Sequence, residues 1–422
     1  MTSEGAPIFA RRSVEEHARA ICEMISAVDR QSEVLSLGTL EADHFRTLAE
    51  DVLSPIDLPP FDNSQMDGFA VHRADFFNPR GDTPARLPIT GHVAAGDESG
   101  PLPRGEAWAV MTGAPLPSGA DAVVPIEASG MSAFPSPGEK ATLSVATVPA
   151  NDAFVRRAGS DVQAGSVIAS AGAALTPALI GALASAGVRR VAVWRPFTVL
   201  LIATGSELRR IDDTERPGSI LDANTPGLTA LLTGIGVRVM TPGLVHDHPA
   251  ELLDAIDAGG SGIDLIVTAG GVSAGAHEVV REALADRGVA FGSVSMQPGG
   301  PQGVGRVRVH GTDVPVVALP GNPVSALVSA EVFLRPAILA AGGWWPERPV
   351  VEAPITEATT SPAGRLQFRR ARSTADGRIE LVGGAGSHLL SAFARSDLLV
   401  MLPENVERVE AGDVVRAWRI NG

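Results

Sequence analysis

Three glycine-bearing loops carry the clearest chemical signal in the chain: ATGSEL (203–208), TAGGVSAGAHE (268–278) and LPGNPVS (319–325). Each follows an apolar run that reads as a β-strand and precedes a helix or a polar turn. Glycine admits positive φ and close backbone approach, so the amides of such loops, with the amino end of the next helix, can cradle an anion such as phosphate. One loop of this kind is most often a plain helix-entry device; three in a single segment point to a shared site. The acids Glu207, Asp222, Asp247 and Glu278 stand beside them. Carboxylates there can hold Mg2+, which takes one or two of them together with substrate phosphate oxygens, and a pyrophosphate bond is the matching target. Singly, each acid serves equally well as a helix cap or loop hydrogen-bond acceptor. The cluster is what argues for a site.

Two further segments, PPFDNSQMDGFAV (59–71) and VMTGAPLPSGADAVVPIE (110–127), are dense in Asp, Asn, Ser and Gly. Asp67, between Met66 and Gly68 and ahead of Phe69 and Val71, is expected where a loop enters a packed strand, which suits a site group or a structural turn. Arg156 and Arg157 can receive phosphate through paired guanidinium contacts, with surface solvation as the competing reading. No serine nucleophile elbow, HExxH or Walker motif is present, and the histidines flanking the loops, His246, His248 and His277, lack ligand spacing. Cys22 is the only cysteine, which excludes an intrachain disulfide and a cysteine-cluster zinc site.

The elements that must position these residues fall into blocks. At 422 residues, a prior of roughly three domains applies, and 45% apolar with 19% charged residues is the composition of an ordered globular protein. Ser13 and Glu16 have capping-box spacing ahead of Val14, Ala18, Ile21, Ile25 and Val28, which predicts an amphipathic helix over 13–30. A second helix is expected over 39–49, then a β-rich unit over roughly 55–150, then a helix capped by Thr176 with Pro177 at its first position. Residues 197–340 alternate strand and helix, implying a mostly parallel sheet covered by helices, with ligands beyond the carboxyl ends of the strands. Short strands return after Trp344-Trp345-Pro346. A net charge of −14 argues against a nucleic-acid partner. The apolar stretches 197–203 and 178–188 are shorter than the roughly 18 to 20 residues of a membrane span. With no apolar signal core at the amino terminus, a cytoplasmic location is expected.

Taken in order, PFDNSQMDGFAV, MTGAPLPSGADAVV, ATGSEL, TAGGVSAG, QPGGPQG and LPGNPVS resemble the molybdopterin molybdenumtransferase (MoeA) family, which includes the gephyrin E domain, and the likeness runs over essentially the whole chain. The resemblance implies a multidomain fold: a helical unit from 1–50 and 151–195, an inserted β-rich domain over 51–150, a molybdopterin-binding three-layer α/β domain over 196–343, and a C-terminal β barrel over 344–422. It implies a Mg2+-dependent enzyme that releases AMP from adenylylated molybdopterin and inserts molybdenum from molybdate. It implies a homodimer whose active cleft joins the α/β domain of one subunit to the inserted domain of the other. The partners it implies are a molybdopterin adenylyltransferase and apo-molybdoenzymes, with neither nucleic acid nor membrane.

Carried over position by position, Asp67, Thr112, Glu207 and Asp247 are implied to be catalytic, with Mg2+ at Glu207 and Asp247. Arg156, Asp161, Thr204, Gly205, Gly270, Gly271, Ser273, Glu278, Pro320, Gly321, Asn322 and Ser325 are implied to bind substrate. The chain departs from the family pattern at Ser206, where the family has TGDEL, at 276–279, where it has GE-x-DY, and at Gln297 and Gly300, where KPGKP supplies two lysines. Arg281 and Arg306 are the expected compensating cations. Three alternatives accompany this reading: a molybdopterin-binding paralogue without efficient metal insertion, a gephyrin-like scaffold for partner peptides, and an enzyme that adenylylates molybdopterin itself.

Overall fold

The strand Thr198–Ala203 has all six residues buried because it lies inside a sheet covered on both faces. In the computed structural model, which describes residues 8–39, 45–77, 85–136, 139–273 and 278–420, its side chains alternate between two cores. Val199 and Leu201 pack with Leu228, Leu232, Val324 and Phe333, whereas Leu200 and Ile202 pack with Leu252, Ile256, Val280 and Leu284. Helices Asn224–Thr233 and Pro323–Ser329 therefore cover one face, and Pro249–Ala258 and Val279–Leu284 the other. This is the three-layer arrangement expected from the alternating pattern.

The sheet has seven strands, in the order Ile8–Arg12, Val289–Val294, Pro301–Val309, Thr312–Leu319, Leu265–Ala269, Thr198–Ala203, Arg238–Met240. The last four are parallel neighbours, as expected. The strand Pro301–Val309 runs antiparallel to both its neighbours, making the sheet mixed. Its hairpin turns at His310 and Gly311, both at positive φ (46° and 85°), which matches the right-handed strand twist.

The first helix, Val14–Ser26, begins with the expected capping box: the Glu16 amide donates to Ser13 Oγ, and the Ser13 amide donates to the Glu16 carboxylate. Its buried residues are Val14, His17, Ile21 and Ile25. These, with Phe9, join the α/β core, so residues 8–26 pack there rather than with the rest of the expected 1–50 unit. That unit is instead built from ladders between its two stretches, Ser32–Ser36 with Arg190–Trp194 and Val52–Leu53 with Val167–Ala169. The helix expected over 39–49 is not found among the described residues. Leu37–Thr39 form one 3-10 turn, 40–44 lie outside the described residues, and Thr47 and Leu48 are extended and bridge Ala174 and Val193. The capped helix Pro177–Ser185 is present, with Thr176 Oγ1 accepting from the Leu179 amide.

The inserted unit is a five-stranded sheet ordered Ala122–Pro125, Gly68–Val71, Ala107–Val110, Ala85–Val93, Ala141–Val145. In the C-terminal unit, strands Val350–Pro354, Val414–Arg419, Leu398–Leu402, Leu366–Ser373 and Ile379–Leu381 pair in series, and a bridge from Ile379 returns to Ile355. Met296–Gln297 adds in parallel to Leu366–Gln367, tying this unit to the α/β domain. The run Pro323–Ala341 is long and apolar enough to cross a membrane, yet 72% of its most apolar window is buried within the fold.

His17 is an exception in the apolar core. Its ring lies 4.9 Å edge-on from Phe333 and 5.6 Å from Phe9, and neither nitrogen has a hydrogen-bond partner among the described residues. Burial, aided by the Arg12 guanidinium, lowers its pKa to about 4. The folded state thus disfavours the protonated ring. Its contribution is complete above the unfolded pKa near 6.5 and is lost as pH falls from there to about 4, amounting to about 3 kcal/mol. His17→Leu is expected to flatten this loss, which denaturant unfolding at pH 7 and pH 5 would measure.

Candidate active site

The three glycine loops meet at the carboxyl edge of the parallel strands. The Thr204 amide donates to Ala269 O (3.0 Å), the Gly270 amide to Leu319 O (3.1 Å) and the Gly205 amide to Val245 O (3.2 Å), so the first loop hangs from the second and the second from the third. Gly270, at φ +113°, lies so close to the first loop that a Cβ there would stand 2.5 Å from Thr204 O; Gly321 faces the Gly270 Cα at 3.2 Å in the same terms. Gly270→Ala would therefore combine a steric clash with a strained φ, for about 1 to 3 kcal/mol. The expected outcome is a lower melting temperature in thermal unfolding, since two loops must separate.

The third loop is fixed from both sides. Asn322 Oδ1 accepts from the Val324 and Ser325 amides and caps the helix, and Asn224 Nδ2 donates to Gly321 O (2.7 Å). Pro320 and Ser325 are buried there. Three polar atoms around these strand ends are buried with no hydrogen-bond partner among the described residues: Thr204 Oγ1, Thr268 Oγ1 and Asn224 Oδ1. Buried polar groups are normally paired, and their clustering where three loops converge marks a place built to receive a polar ligand.

Of the acids, Asp247 is locked to the first loop: its Oδ2 accepts from the Ser206 amide (2.9 Å), and its own amide donates to Ser206 Oγ (3.1 Å). Glu207 is exposed and folds its carboxylate back over Gly205. Glu278 is engaged by the Ser273 amide and hydroxyl across the second loop, beside Gly271. Residues 274–277, including His277, lie outside the described residues. Asp222 is a cap, its Oδ1 accepting from the Asn224 and Thr225 amides. His246 is paired with Glu251, and His248 occupies the N-cap position of the following helix without a capping side-chain bond.

The inserted unit brings Asp67 and Thr112 together. Asp67 Oδ1 accepts from both the amide (2.7 Å) and the hydroxyl (2.8 Å) of Thr112, and these bonds, the amide first, hold the carboxyl below its ordinary pKa. Both side chains are exposed. Arg156 is exposed and donates to Asn63 Oδ1 (3.1 Å), while Arg157 is taken up by Asp62 and Asp152. Asp161 is exposed beside the same turn, where its amide donates to Leu58 O.

A cavity of about 560 Å³ opens where the α/β and C-terminal units meet. Ser293, Gln297, Gly300, Ser325, Arg365 and Ser387 bring hydroxyls, an amide and one guanidinium into its wall. Arg365 is the only charged residue lining it, is exposed, and forms no ion pair among the described residues. Sequence reasoning missed Arg365 because it reads as the start of a strand in AGRLQF; only the pairing of Met296–Gln297 with Leu366–Gln367 carries it to the loop. The expected compensating cations lie elsewhere. Arg306 donates to Met24 O and Asp313 O, and Arg281 Nη1 lies 3.5 Å from Ser273 O. Neither lines the cavity.

As a Mg2+ site, Glu207 and Asp247 offer carboxylates on neighbouring loops with oxygens to spare. No cluster of three or more His, Cys, Asp or Glu that could hold a metal occurs among the described residues. Two carboxylates completed by phosphate oxygens and water fit this cation.

Comparison with known proteins follows the same division. Residues 12–187 match the model of the MoeA N-terminal region (domain I and II), 200–340 that of a probable molybdopterin binding domain, and 352–420 that of the MoeA C-terminal region (domain IV). Molybdopterin molybdenumtransferase 2 of Mycobacterium tuberculosis is 39% identical over 417 residues, spanning 96% of this chain and 99% of that one. Molybdopterin molybdenumtransferase of Haemophilus influenzae is 35% identical over 393 residues, spanning 91% and 93%. The crystal structure of a Pyrococcus molybdopterin biosynthesis MoeA protein superposes with a TM-score of 0.78 at 27% identity, covering 98% of this chain and all of that one. With three family regions matched in order and relatives alike over nearly their full length, the chain belongs to the molybdopterin molybdenumtransferase (MoeA) family.

Proposed function

We propose that the protein inserts molybdenum into adenylylated molybdopterin with release of AMP, the last step of molybdenum cofactor biosynthesis. The observation that carries this reading is the convergence of three glycine loops, with buried polar atoms unpaired among the described residues, beside a cavity lined by one guanidinium, serines and an amide. The loops receive the pterin nucleotide, with Ser273, Glu278 and Asn322 shaping its bed. The cavity receives molybdate: its lining supplies donors for a tetrahedral oxyanion, and Ser325 joins it to the third loop. Mg2+ held by Glu207 and Asp247 would neutralise charge on the pyrophosphate. Catalysis is then positioning plus charge neutralisation, as in phosphoryl transfer generally.

Asp67 and Thr112 stand on the inserted sheet, not on the loops, and in this proposal they complete the site across a homodimer. Arg156 and Asp161 flank the same entrance. The C-terminal ring of strands acts as a small barrel closing the molybdate cavity. The reaction takes place in the cytoplasm, fed by a molybdopterin adenylyltransferase and drained by apo-molybdoenzymes.

The test is to mix purified protein with adenylylated molybdopterin, Mg2+ and molybdate, and to follow AMP release and reconstitution of an apo-molybdoenzyme together. Molybdate-dependent appearance of both is the expected result. Nucleotide binding with neither would overturn the proposal in favour of a binding paralogue.

A further inference from the structure

Gln297 stands in the wall of the cavity at one of the positions where the family pattern has lysine. Its Oε1 accepts a hydrogen bond from Gln367 Nε2 at 2.8 Å. Gln367 is 2% exposed, and its own Oε1 is buried without a partner, so the bond to Gln297 is the one hydrogen bond its side chain makes among the described residues. The two residues are direct neighbours in the parallel pairing of Met296–Gln297 with Leu366–Gln367, which fixes their side chains side by side. With its oxygen occupied, Gln297 has only its NH2 group left, and that group donates to no protein atom among the described residues.

We infer that Gln367 is a positioning residue that sets the specificity of the anion site: by taking the Gln297 oxygen, it presents the Gln297 NH2 to the cavity as a neutral donor. An amide can face an anion either way round, and its oxygen would repel one. An unpaired Gln297 would turn freely between the two; with its oxygen held by the Gln367 NH2, it faces the cavity donor first. The site then holds its oxyanion with a single cation, Arg365, and a set of neutral donors. It should discriminate anions by shape and hydrogen bonding more than by charge, with a shallow dependence on ionic strength. This inference rests on the reading of the cavity as the molybdate site.

The experiment is equilibrium dialysis of inorganic molybdate against the full-length protein, at low and high salt, for wild type, Gln297→Met, Gln367→Met, the double variant and Arg365→Ala. One lost hydrogen bond to a charged ligand corresponds to about a tenfold weaker affinity. Each single glutamine variant is expected to show that loss, and the double variant no more than either single. Affinity for adenylylated molybdopterin should stay at the wild-type value in Gln367→Met. Gln367→Asn, whose amide stops one methylene short, should lose the same tenfold and serves if the methionine variant does not fold. Wild-type molybdate binding by either Gln367 variant, or losses that multiply in the double variant, would overturn the inference. If Arg365→Ala binds molybdate as wild type does, the cavity reading itself falls.

Discussion

Asp67→Asn is expected to leave the protein folded and to reduce cofactor formation by about 10²-fold or more, the range associated with loss of a positioned charged catalytic group. The argument is geometric. A single oxygen, Oδ1, accepts both the amide and the hydroxyl of Thr112, and an asparagine Oδ1 can keep both bonds. Charge is removed while the turn stays intact. Because Asp67 is exposed, its folded-state pKa depression contributes little to stability. That small share is present above the unfolded carboxylate pKa and fades as pH falls through the lower folded value. The carboxylate therefore remains ionised through the neutral range, and any acid limb of the rate above the usual carboxylate range must come from another group. AMP release and thermal unfolding, measured on the same preparation, separate the two effects. An Asn variant that turns over like wild type would remove Asp67 from the site, and one that unfolds would show its role to be that of a turn.

Much of this fold could be read from local pattern, for a physical reason. The Ser13 and Glu16 capping box, the Thr176-Pro177 helix start and the TVLLIA strand, apolar after Thr198, each depend on interactions within a few residues or on burial on both faces. What escaped depends on distant partners. IFARR becomes an edge strand only because Val289–Val294 is there to pair with it. Thr47 and Leu48 lie in a helix-like sequence, yet bridges to Ala174 and Val193 and full burial of Leu48 outweigh that propensity. The antiparallel strand Pro301–Val309 was hidden by its glycine and proline interruptions among apolar residues, and by a His-Gly turn that is not a usual hairpin pair.

The site divides along the same line. Glycine loops, Glu207 and Asp247 were visible because three such loops and their acids fall together in one segment. The bond network that gives them roles, such as the reciprocal pair between Ser206 and Asp247, was not. Ser206 stands where the family pattern has aspartate, and the structure shows a use for the change: a hydroxyl accepts the Asp247 amide, where an acid would add a like charge beside Asp247. The missing lysines left an anion site without evident cations. Arg365 answers that through tertiary pairing alone, whereas of the two sequence-based candidates Arg306 is spent on the carbonyls of Met24 and Asp313 and Arg281 lies by Ser273 O.

Arg365→Ala is accordingly expected to weaken molybdate binding by about 10²-fold, because it removes a charge-assisted guanidinium hydrogen bond from a cavity lined by no other cation. AMP release should fall in proportion at low molybdate and recover in part at saturating molybdate. Stability should be unchanged, because Arg365 is exposed and unpaired among the described residues. The complementary variant is Gly300→Lys. Gly300 is not among the glycines at positive φ, and a Cβ there would meet its nearest neighbours, Val294 O and Ser293 Oγ, at 3.6 and 3.7 Å, which is ordinary van der Waals distance. A lysine can thus be added without strain at the cavity wall. In the Arg365→Ala background it should restore about tenfold of the forfeited affinity, with a steeper salt dependence than wild type because the restored charge sits on a mobile, solvated ammonium rather than a planar fork. If Gly300→Lys folds normally and restores nothing, the positive charge required for anion binding is not supplied from this cavity, and the molybdate site must be sought on the acidic loops instead.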